Sequence, residues 1–242
     1  MIAESDLKAN MDAVRSRIEA AARRAQRSPG AIRIVAVTKG HPPELVRLAY
    51  RAGLRDFGEN RVDEARAKQV QLTDLTDARW HMIGHVQSRK ARDVVGPFAL
   101  VHSVDRPKIA LSLARLAHES GLCLPVLLEC NISGEVSKDG WDVASGTDRT
   151  DLLASLLAVT RLPSLEVRGL MTMAPWTGDV MLLRHVFGGL VQLRNELRDA
   201  GAAALPELSM GMTDDFEIAI EEGATMVRIG RALFGDRPAG AD

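Results

Sequence analysis

Eight short apolar segments of this sequence alternate with stretches of helical periodicity, and this alternation restricts the fold more than any other feature. In the first unit, residues 32–37 form a β-branched strand pattern and residues 43–49 form a helical pattern that Gly53 ends. Strands that alternate with helices form a parallel sheet covered by helices, and eight repeats favour a closed barrel over an open doubly wound sheet. The predicted fold is an α/β, (β/α)8 TIM-type barrel with strands at residues 32–37, 54–57, 79–83, 100–103, 124–132, 165–170, 207–209 and 226–229.

The length and hydropathy of the chain suit one such barrel. With 242 residues, of which 46% are hydrophobic, the chain can bury one substantial core, and we expect residues 1–242 to form a single domain. Residues 11–25 predict an amphipathic opening helix that the Ser-Pro-Gly sequence at 28–30 ends. Residues 133–146 are rich in Gly, Ser and Asp and have weak periodicity, which predicts a loop after the fifth strand.

The charge of the chain argues against a strong general attraction to nucleic acid or membranes. Its 31 basic and 32 acidic side chains are spread along the whole length and give a net charge of −1. The N-terminus has neither the basic start nor the apolar run of a signal peptide, and no apolar stretch approaches membrane-spanning length. Cys123 and Cys130 lack metal-ligand spacing and are expected to be reduced thiols. We therefore expect a cytoplasmic protein that binds a small polar ligand.

Lys39 is the first chemically informative residue, because ligands of parallel barrels bind where the strands end. It stands at the end of the run Ile34-Val35-Ala36-Val37-Thr38. An amine at the mouth of a core loses solvation, which favours its neutral form and makes it a competent imine-forming nucleophile. The alternative is a lysine whose ammonium group reaches from the strand end into solvent, and position alone favours that alternative.

A second signal lies at the last two strand candidates. The strand at residues 226–229 runs into Gly230 and Arg231, and a glycine at a helix start lets an anion reach the exposed amides, which are phosphate donors. The preceding strand ends in a segment that offers the hydroxyls of Ser209 and Thr213. The alternative for Thr213 is N-capping of a helix at residues 214–222, and one hydroxyl can serve both roles.

A lysine on the first strand and a phosphate site on the last two would be neighbours in a closed barrel. Together they fit a phosphorylated carbonyl compound: pyridoxal 5′-phosphate is the leading candidate, and an aldolase substrate satisfies the same geometry. Arg228, inside an apolar strand, needs a buried partner such as a carboxylate, a phosphate or a ring nitrogen. Asn60 either contacts the ligand or caps the next helix, and position alone favours capping. His81 and His85 are four residues apart but fall across a strand-to-loop junction, so no metal site is predicted.

Further segments extend these motifs along nearly the whole chain. They are Ala36-Val37-Thr38-Lys39, Phe57-Gly58-Glu59-Asn60, Trp80-His81-Met82-Ile83-Gly84 with Gln87 and Lys90, His102-Ser103-Val104-Asp105, Asn131-Ile132-Ser133 with Glu135, Lys138 and Gly140, Arg168-Gly169-Leu170-Met171, residues 208–214 and residues 227–235. Together they are far more specific than a single short motif. Through them the chain resembles the pyridoxal phosphate homeostasis proteins, a family similar to the barrel domain of alanine racemase.

The resemblance implies that the chain carries pyridoxal 5′-phosphate as a Schiff base on Lys39, with Ser209, Thr213, Gly230 and the backbone of Arg231 around the phosphate. Arg228 resembles the arginine that faces the pyridine nitrogen in alanine racemase. A guanidinium does not readily protonate that nitrogen, which weakens the cofactor as an electron sink. The expected cofactor-binding residues are Lys39, Asn60, Met171, Ser209, Met210, Thr213, Arg228, Gly230 and Arg231.

The chain departs from the family pattern at three positions. His41 stands where a second lysine is expected, which leaves any accessory role of that lysine in doubt. Arg89 stands where an asparagine is common, and Thr213 replaces a serine but retains the hydroxyl.

We expect this protein to handle the cofactor in vitamin B6 homeostasis rather than to use it in catalysis. A racemase needs two acid/base groups on opposite faces of the substrate carbon, and in alanine racemase a tyrosine from a further domain is the second. Tyr50 is the one tyrosine here and belongs to a helical pattern, so no catalytic residue is predicted. The alternatives are a pyridoxal phosphate-dependent racemase-like enzyme, with Cys130, His81 or His102 as the second group, and a Schiff-base aldolase without the cofactor. The expected partners are pyridoxal phosphate-dependent apoenzymes, contacted transiently by a monomer.

Overall fold

The computed structural model describes residues 2–144 and 148–236. In these residues the β-strands are β1 (Arg33–Val37), β2 (Asp56–Glu59), β3 (Arg79–Met82), β4 (Leu100–Val104), β5 (Leu124–Asn131), β6 (Trp141–Asp142), β7 (Leu165–Met171), β8 (Glu207–Ser209) and β9 (Met226–Ile229). The α-helices are α1 (Glu4–Arg24), α2 (Pro43–Arg51), α3 (Val62–Gln71), α4 (Ala91–Val94), α5 (Pro107–Glu119), α6 (Arg149–Thr160), α7 (Val180–Asp199), α8 (Phe216–Glu222) and α9 (Arg231–Phe234). Short 3-10 helices lie at Pro29–Ala31 and Ser88–Lys90.

Eight of these strands close into a parallel barrel, which confirms the predicted fold. The ring runs β1-β2-β3-β4-β5-β7-β8-β9, and β9 pairs in turn with β1. At that closing pair, Val35 lies opposite Arg228 and Ala36 lies opposite Ile229. The first and last strands of the barrel therefore lie side by side, as a site that uses both requires.

The strand β2 differs from its predicted bounds because two of its residues are buried carboxylates. Residues 54–57 carry the apolar pattern, whereas the strand is Asp56–Glu59. Asp56 and Glu59 are 4% and 0% exposed, and the cations of Arg79 and Lys68 bond to them. A prediction based on the pattern of hydrophobic side chains misses strand residues that are charged but buried beside a cation.

The predicted loop after the fifth strand contains a short strand that the sequence did not indicate. In β6, Trp141 pairs with Cys130 and Asp142 with Asn131, both on β5 and outside the barrel ring. Two residues are too few to produce a period-2 pattern. The end of the predicted loop, residues 145–146, lies outside the described residues.

The core has two parts, one between the strands and the helices and one inside the barrel. The helix α1 closes the outer part by packing on α8 and α9. Inside the ring, the strands contribute an apolar layer of buried side chains: Val35, Leu100, Leu127, Met171 and Met226. A polar group of His81, His102 and Ser209, each at most 2% exposed, is also enclosed.

No described helix combines the length and the hydropathy that crossing a bilayer requires. Cys123 is exposed and Cys130 is buried, and both thiols are free.

Candidate functional site

A cavity of about 680 Å³ opens where the barrel strands end, at the edge that the sequence predicted. Apolar side chains from several strand ends contribute to its walls, including Val37, Ile83 and Met173. A neighbouring cavity of about 580 Å³ shares part of the wall. Six predicted site residues meet in the larger cavity: Lys39, Asn60, Thr213, Arg228, Gly230 and Arg231.

Lys39 reaches the cavity because the chain turns sharply just after β1. The amide of Thr38 still donates to the Gly58 carbonyl oxygen of the neighbouring strand at 3.0 Å, so the residue before Lys39 is held in the sheet. Gly40 follows with φ +73°, a left-handed conformation that glycine adopts without steric cost. Lys39 is half-buried and lines both cavities.

The opposite wall is formed by the start of α9 and the segment after β8. The amide of Ala232, in the first turn of α9, donates to Thr213 Oγ1 at 3.3 Å. The helix α8 begins only at Phe216 with Asp215 as its N-cap, so Thr213 does not cap it. Gly211, at φ +91°, brings the chain so near Phe216 that a Cβ would lie 2.9 Å from that residue's Cα. One hydroxyl and a helix N-terminus thus face the cavity together.

Arg228 lies at the inner end of the cavity and is 4% exposed. Its Nη1 donates to the carbonyl oxygen of Ser209 at 2.9 Å and to Ser209 Oγ at 2.7 Å, and its Nη2 donates to the Thr172 carbonyl oxygen at 2.9 Å. Burial lowers the pKa of Arg228, while the charges of Asp215 and Glu129 oppose that shift. An arginine nevertheless stays protonated in proteins, so these bonds fix a cation at the cavity floor.

A chain of buried hydrogen bonds leads from Arg228 through the inside of the barrel. Ser209 Oγ lies 2.9 Å from His102 Nδ1, His102 Nε2 lies 2.9 Å from His81 Nδ1, and His81 Nε2 lies 2.9 Å from Asp56 Oδ1. Burial lowers the pKa of both histidines, which favours the neutral form of both rings at neutral pH. Although burial alone would raise it, hydrogen bonds from Arg79 and His81 lower the pKa of Asp56.

Neutral rings leave one assignment of the protons in this chain. The Asp56 carboxylate can only accept, so His81 Nε2 donates to it and His81 Nδ1 accepts from His102 Nε2. His102 Nδ1 then accepts the hydroxyl proton of Ser209, whose oxygen accepts from Arg228. Along this series of hydrogen bonds, each group donates to the next one in the direction from the cavity towards Asp56. The hydroxyl of Ser209 is therefore committed to holding Arg228 rather than free to donate to a phosphate.

Three predicted site residues are buried rather than exposed to the cavity. Ser209, Met171 and Met210 are each 0% exposed, and none belongs to the cavity wall that the described residues form. Met171 fills the apolar layer inside the barrel, and the amide of Met210 donates to the Met226 carbonyl oxygen at 3.1 Å. These residues lie close, in the sequence or in the sheet, to residues that line the cavity, but the sequence does not indicate which way each side chain points.

Asn60 lines both cavities and does not cap the following helix, whose N-cap is Arg61 with no side-chain cap hydrogen bond. Its position depends on Gly84, since a Cβ on Gly84 would lie 2.3 Å from the Asn60 carbonyl oxygen. The loop after β3 can approach the turn after β2 only because residue 84 has no side chain.

Glu129 and Asp139 line the cavity although neither was predicted from the sequence, and His85, which was considered only as half of a metal pair, lines the cavity with them. Burial raises the pKa of Glu129 to about 7, Asp105 adds to the effect, and Arg228 opposes it. The signal was present, because Glu129 interrupts an apolar strand in the same way as Arg228 does.

His85 and His81 do not act as a pair. His81 lies inside the barrel, whereas His85 Nδ1 lies 2.7 Å from Asp105 Oδ2 and 3.3 Å from Asp139 Oδ2 at the cavity rim. Arg106 Nη1 donates to both oxygens of Asp105, at 2.5 and 2.7 Å, and supplies a positive charge to that group.

Neither Tyr50 nor the three side chains considered as a second acid/base group, Cys130, His81 and His102, belong to the cavity walls that the described residues form. The Tyr50 hydroxyl donates to Asp77, and the Arg55 guanidinium lies 4.0 Å from the centre of its ring. Burial raises the pKa of the Cys130 thiol, which contacts the Leu128 carbonyl oxygen at 3.6 Å. Both ring nitrogens of His81 and of His102 are occupied by hydrogen bonds inside the barrel.

Lys138 is tied to the loop that follows β5. It bonds to Glu135 and donates to the Met173 carbonyl oxygen at 3.1 Å.

The chain matches a known family over nearly all of its length. Residues 9–238 match the family model of the alanine racemase N-terminal domain. A pyridoxal phosphate homeostasis protein from Pseudomonas aeruginosa is 45% identical over 98% of this chain and 98% of its own length. One from Aquifex aeolicus is 41% identical over 93% of this chain and 95% of its own length.

Solved structures share the fold of this chain. PipY of Synechococcus elongatus, in a structure with pyridoxal phosphate bound, has a TM-score of 0.82 and 38% identity, and the match covers 95% of this chain and all of PipY. Alanine racemase of Clostridium difficile has a TM-score of 0.74 at 13% identity, over 98% of this chain and 58% of the enzyme, and shows likeness of fold alone.

Proposed function

This chain belongs to the pyridoxal phosphate homeostasis protein family, built on the barrel of the alanine racemase N-terminal domain, and we propose that it binds pyridoxal 5′-phosphate as a carrier. The observation that carries the proposal is that Lys39, Thr213 and the start of α9 line one cavity. The relative from Synechococcus elongatus, 38% identical, was solved with the same cofactor.

The donors around the cavity suit each functional group of this cofactor. Lys39 would hold the aldehyde end of the cofactor through its amine. Thr213 would offer its hydroxyl proton to the phosphate, because its oxygen accepts from the Ala232 amide, and the first backbone amide of α9, that of Arg231, would lie beside it. Arg228 would place a cation beside the pyridine ring, and Asn60, Gly230 and Arg231 line the same cavity. When bound, the cofactor supplies an aldehyde that exchanges between amines.

Two features favour carriage over turnover. A guanidinium at the ring nitrogen does not readily donate a proton to it, which weakens the electron withdrawal that amino-acid chemistry needs. The side chain of Trp176, at the cavity rim, is 92% exposed, so the mouth is open to water and to amines that would take the cofactor away. Pyridoxal phosphate-dependent apoenzymes are the acceptors that we propose.

The test is covalent capture at Lys39. The purified wild-type protein should be yellow with pyridoxal phosphate, and borohydride should fix the chromophore to the peptide that contains Lys39. Lys39→Ala should lose the fixed chromophore and keep its far-UV circular dichroism, whereas Lys108→Ala, an exposed lysine on α5, should keep both. Equal fixation in wild type and Lys39→Ala would refute the assignment.

A racemase-like enzyme is the second candidate, because Glu129 shares the cavity with Lys39 and burial raises its pKa to about 7. A carboxyl that titrates near neutral pH can both take and return a proton. We expect the loaded protein to exchange the α-protons of alanine and other common amino acids in deuterated water no faster than free pyridoxal phosphate. Rapid exchange that Lys39→Ala and Glu129→Gln both abolish would make the protein an enzyme.

A further inference from the structure

Lys68 is a buried lysine where α3 packs against the end of β2. Its side chain is 5% exposed. Its ammonium donates to the Thr38 carbonyl oxygen at 2.7 Å, to Glu59 Oε1 at 2.7 Å and to Glu64 Oε1 at 2.6 Å. Since an ammonium has three protons, all of its donors are used. Lys68, Glu59 and Glu64 form one cluster, called here the Lys68 cluster.

The Lys68 cluster holds the backbone on both sides of Lys39. Before it, Thr38 Oγ1 donates to Glu59 Oε1 at 2.6 Å, and the Thr38 carbonyl accepts from Lys68. After it, the amide of Gly40 donates to Glu64 Oε1 at 2.6 Å. The turn that directs Lys39 is therefore fixed at its two ends by a single set of charges.

Stability alone is a weak reason for such a cluster. Removing charges from water is costly, and replacing a buried ion pair by apolar side chains of similar volume is often neutral or stabilising. Among the described residues, Glu59 Oε2 is a buried oxygen with no hydrogen-bond partner, which adds to the cost. The fixed backbone around Lys39 is the gain that the geometry offers in return.

We propose that Lys68 is a positioning residue that, through Glu59 and Glu64, sets the turn that aims the Lys39 amine into the cavity. Lys68 and Glu59 act from behind the strand and do not belong to the cavity wall that the described residues form. The proposal rests on the proposed binding of pyridoxal phosphate at Lys39, and it concerns how that amine is presented.

The test compares the effect of Lys68 with and without the amine that it positions. Lys68→Met keeps the length of the side chain and removes the charge, and Lys68→Met/Glu59→Gln also removes the charge of Glu59, the more deeply buried of the two carboxylates left behind. Lys108→Met, on the exposed face of α5, is the matched control. Each variant is made in the wild-type chain and in Lys39→Ala, and pyridoxal phosphate affinity is measured by fluorescence titration, with imine formation followed by absorbance.

In the chain that has Lys39, we expect both Lys68 variants to weaken pyridoxal phosphate binding at least tenfold and to reduce the imine absorbance. In Lys39→Ala, where binding is non-covalent, the same changes should alter affinity less than twofold. Thr213 and the start of α9, which we propose bind the phosphate, share no hydrogen bond with the Lys68 cluster in the described part of the chain. A similar loss in both backgrounds, or no loss with Lys39 present, would overturn the proposal.

Hydrogen exchange gives a second readout that needs no cofactor. The amide of Gly40 should exchange at least tenfold faster in both Lys68 variants, whereas amides of β5 and β7 should keep their wild-type rates. Unchanged exchange at Gly40 overturns the proposal, and so does equal acceleration in every strand of both variants, because the cluster would then support the whole barrel. A wild-type chain that binds no pyridoxal phosphate would sink the proposed function, while this exchange would still decide how the turn is held.

Discussion

Thr213 shows at the scale of one residue how a hydroxyl acquires its role from the elements around it. Its place before a helical pattern suggested a cap, but α8 begins at Phe216 and its N-cap is Asp215. The chain instead brings Thr213 Oγ1 to the Ala232 amide, at the start of a different helix. A hydroxyl at that place can donate its proton to an anion while its oxygen accepts from the amide.

Thr213→Ala is expected to weaken the binding of pyridoxal phosphate by roughly 1–3 kcal/mol, because one partner of a charge-assisted hydrogen bond is lost. Binding of pyridoxal, which has no phosphate, should weaken less. Isothermal titration of both ligands measures the difference. Thr213→Ser keeps the hydroxyl and serves as the control. An equal loss for both ligands would mean that the hydroxyl holds α9 without contacting phosphate.

Glu129 predicts a pH dependence of stability. Burial raises its pKa to about 7 in the folded chain, whereas an unfolded glutamate titrates near 4.3. Between these values the folded state binds more protons than the unfolded state, so this residue makes the protein less stable as pH rises. Glu129→Gln should therefore raise the free energy of unfolding at pH 8, and by about 2 kcal/mol more than at pH 5.

Urea unfolding at the two pH values measures this difference. Glu135→Gln is the control of opposite sign, because the hydrogen bond from Lys138 lowers the pKa of Glu135. That bond contributes stability above the unfolded pKa, so its removal should not stabilise the protein at pH 8. A Glu129→Gln gain that is the same at pH 5 and pH 8 would contradict the shifted pKa.

At the scale of elements, the periodicity of hydrophobic side chains predicted the order of the strands and helices. The alternation of strands and helices fixed the barrel, and β8 and β9 were placed to the residue. This periodicity does not indicate which side chains at a strand end face the ligand. Ser209 and Met210 were therefore expected in the site beside Thr213, although both are buried. Lys68 and Glu59 escaped notice because their roles depend on each other and on Thr38, across elements.

The loops at the cavity also depend on a close approach between elements. Gly84→Ala should force the loop after β3 away from the turn at Asn60, because the new Cβ would lie 2.3 Å from a backbone oxygen. We expect a loss of roughly 2–4 kcal/mol of stability, as for other overpacked backbone contacts, together with weaker ligand binding. Gly178→Ala, where a Cβ would have nothing within 4 Å, should leave the denaturation midpoint unchanged.

At the scale of the whole molecule, the buried chain from Arg228 to Asp56 joins the two ends of the barrel. At its far end, Asp56 accepts from Arg79 at 2.8 and 2.6 Å, and the Arg79 side chain is half-exposed. The interior is thus a line of satisfied polar groups between two guanidinium ions. A line in which every proton is assigned depends on each member, because removing one leaves two neighbours without a partner.

His102→Leu should lower the free energy of unfolding at pH 7.5 by roughly 2–4 kcal/mol, since the Ser209 hydroxyl and His81 Nδ1 both lose a buried partner. The substitution should also reduce the loss of folding stability that the wild type shows as the pH falls. Burial lowers the pKa of His102, so the unfolded chain binds more protons as pH falls below about 6.5 and the wild type loses stability there.

Chemical denaturation from pH 5 to pH 8 measures both effects. His118→Leu, on the exposed end of α5, is the control and should change stability at pH 7.5 by less than about 0.5 kcal/mol. An acid slope in His102→Leu as steep as that of the wild type would show that the buried imidazole does not stay neutral.

The closing pair of the barrel, β1 with β9, also sets when a cofactor can first be held. A growing polypeptide leaves the ribosome from its N-terminus, so Lys39 emerges long before Arg228, Gly230 and Arg231 have been made. At ordinary rates of synthesis the delay is on the order of ten seconds or more. During that interval Lys39 lacks the part of the cavity wall that β9 and α9 supply, since these two elements come last along the described chain. With the site that we propose, stable capture of the cofactor would follow translation of the last strand, and a nascent chain cut short before β9 would retain Lys39 without the opposite wall of the cavity.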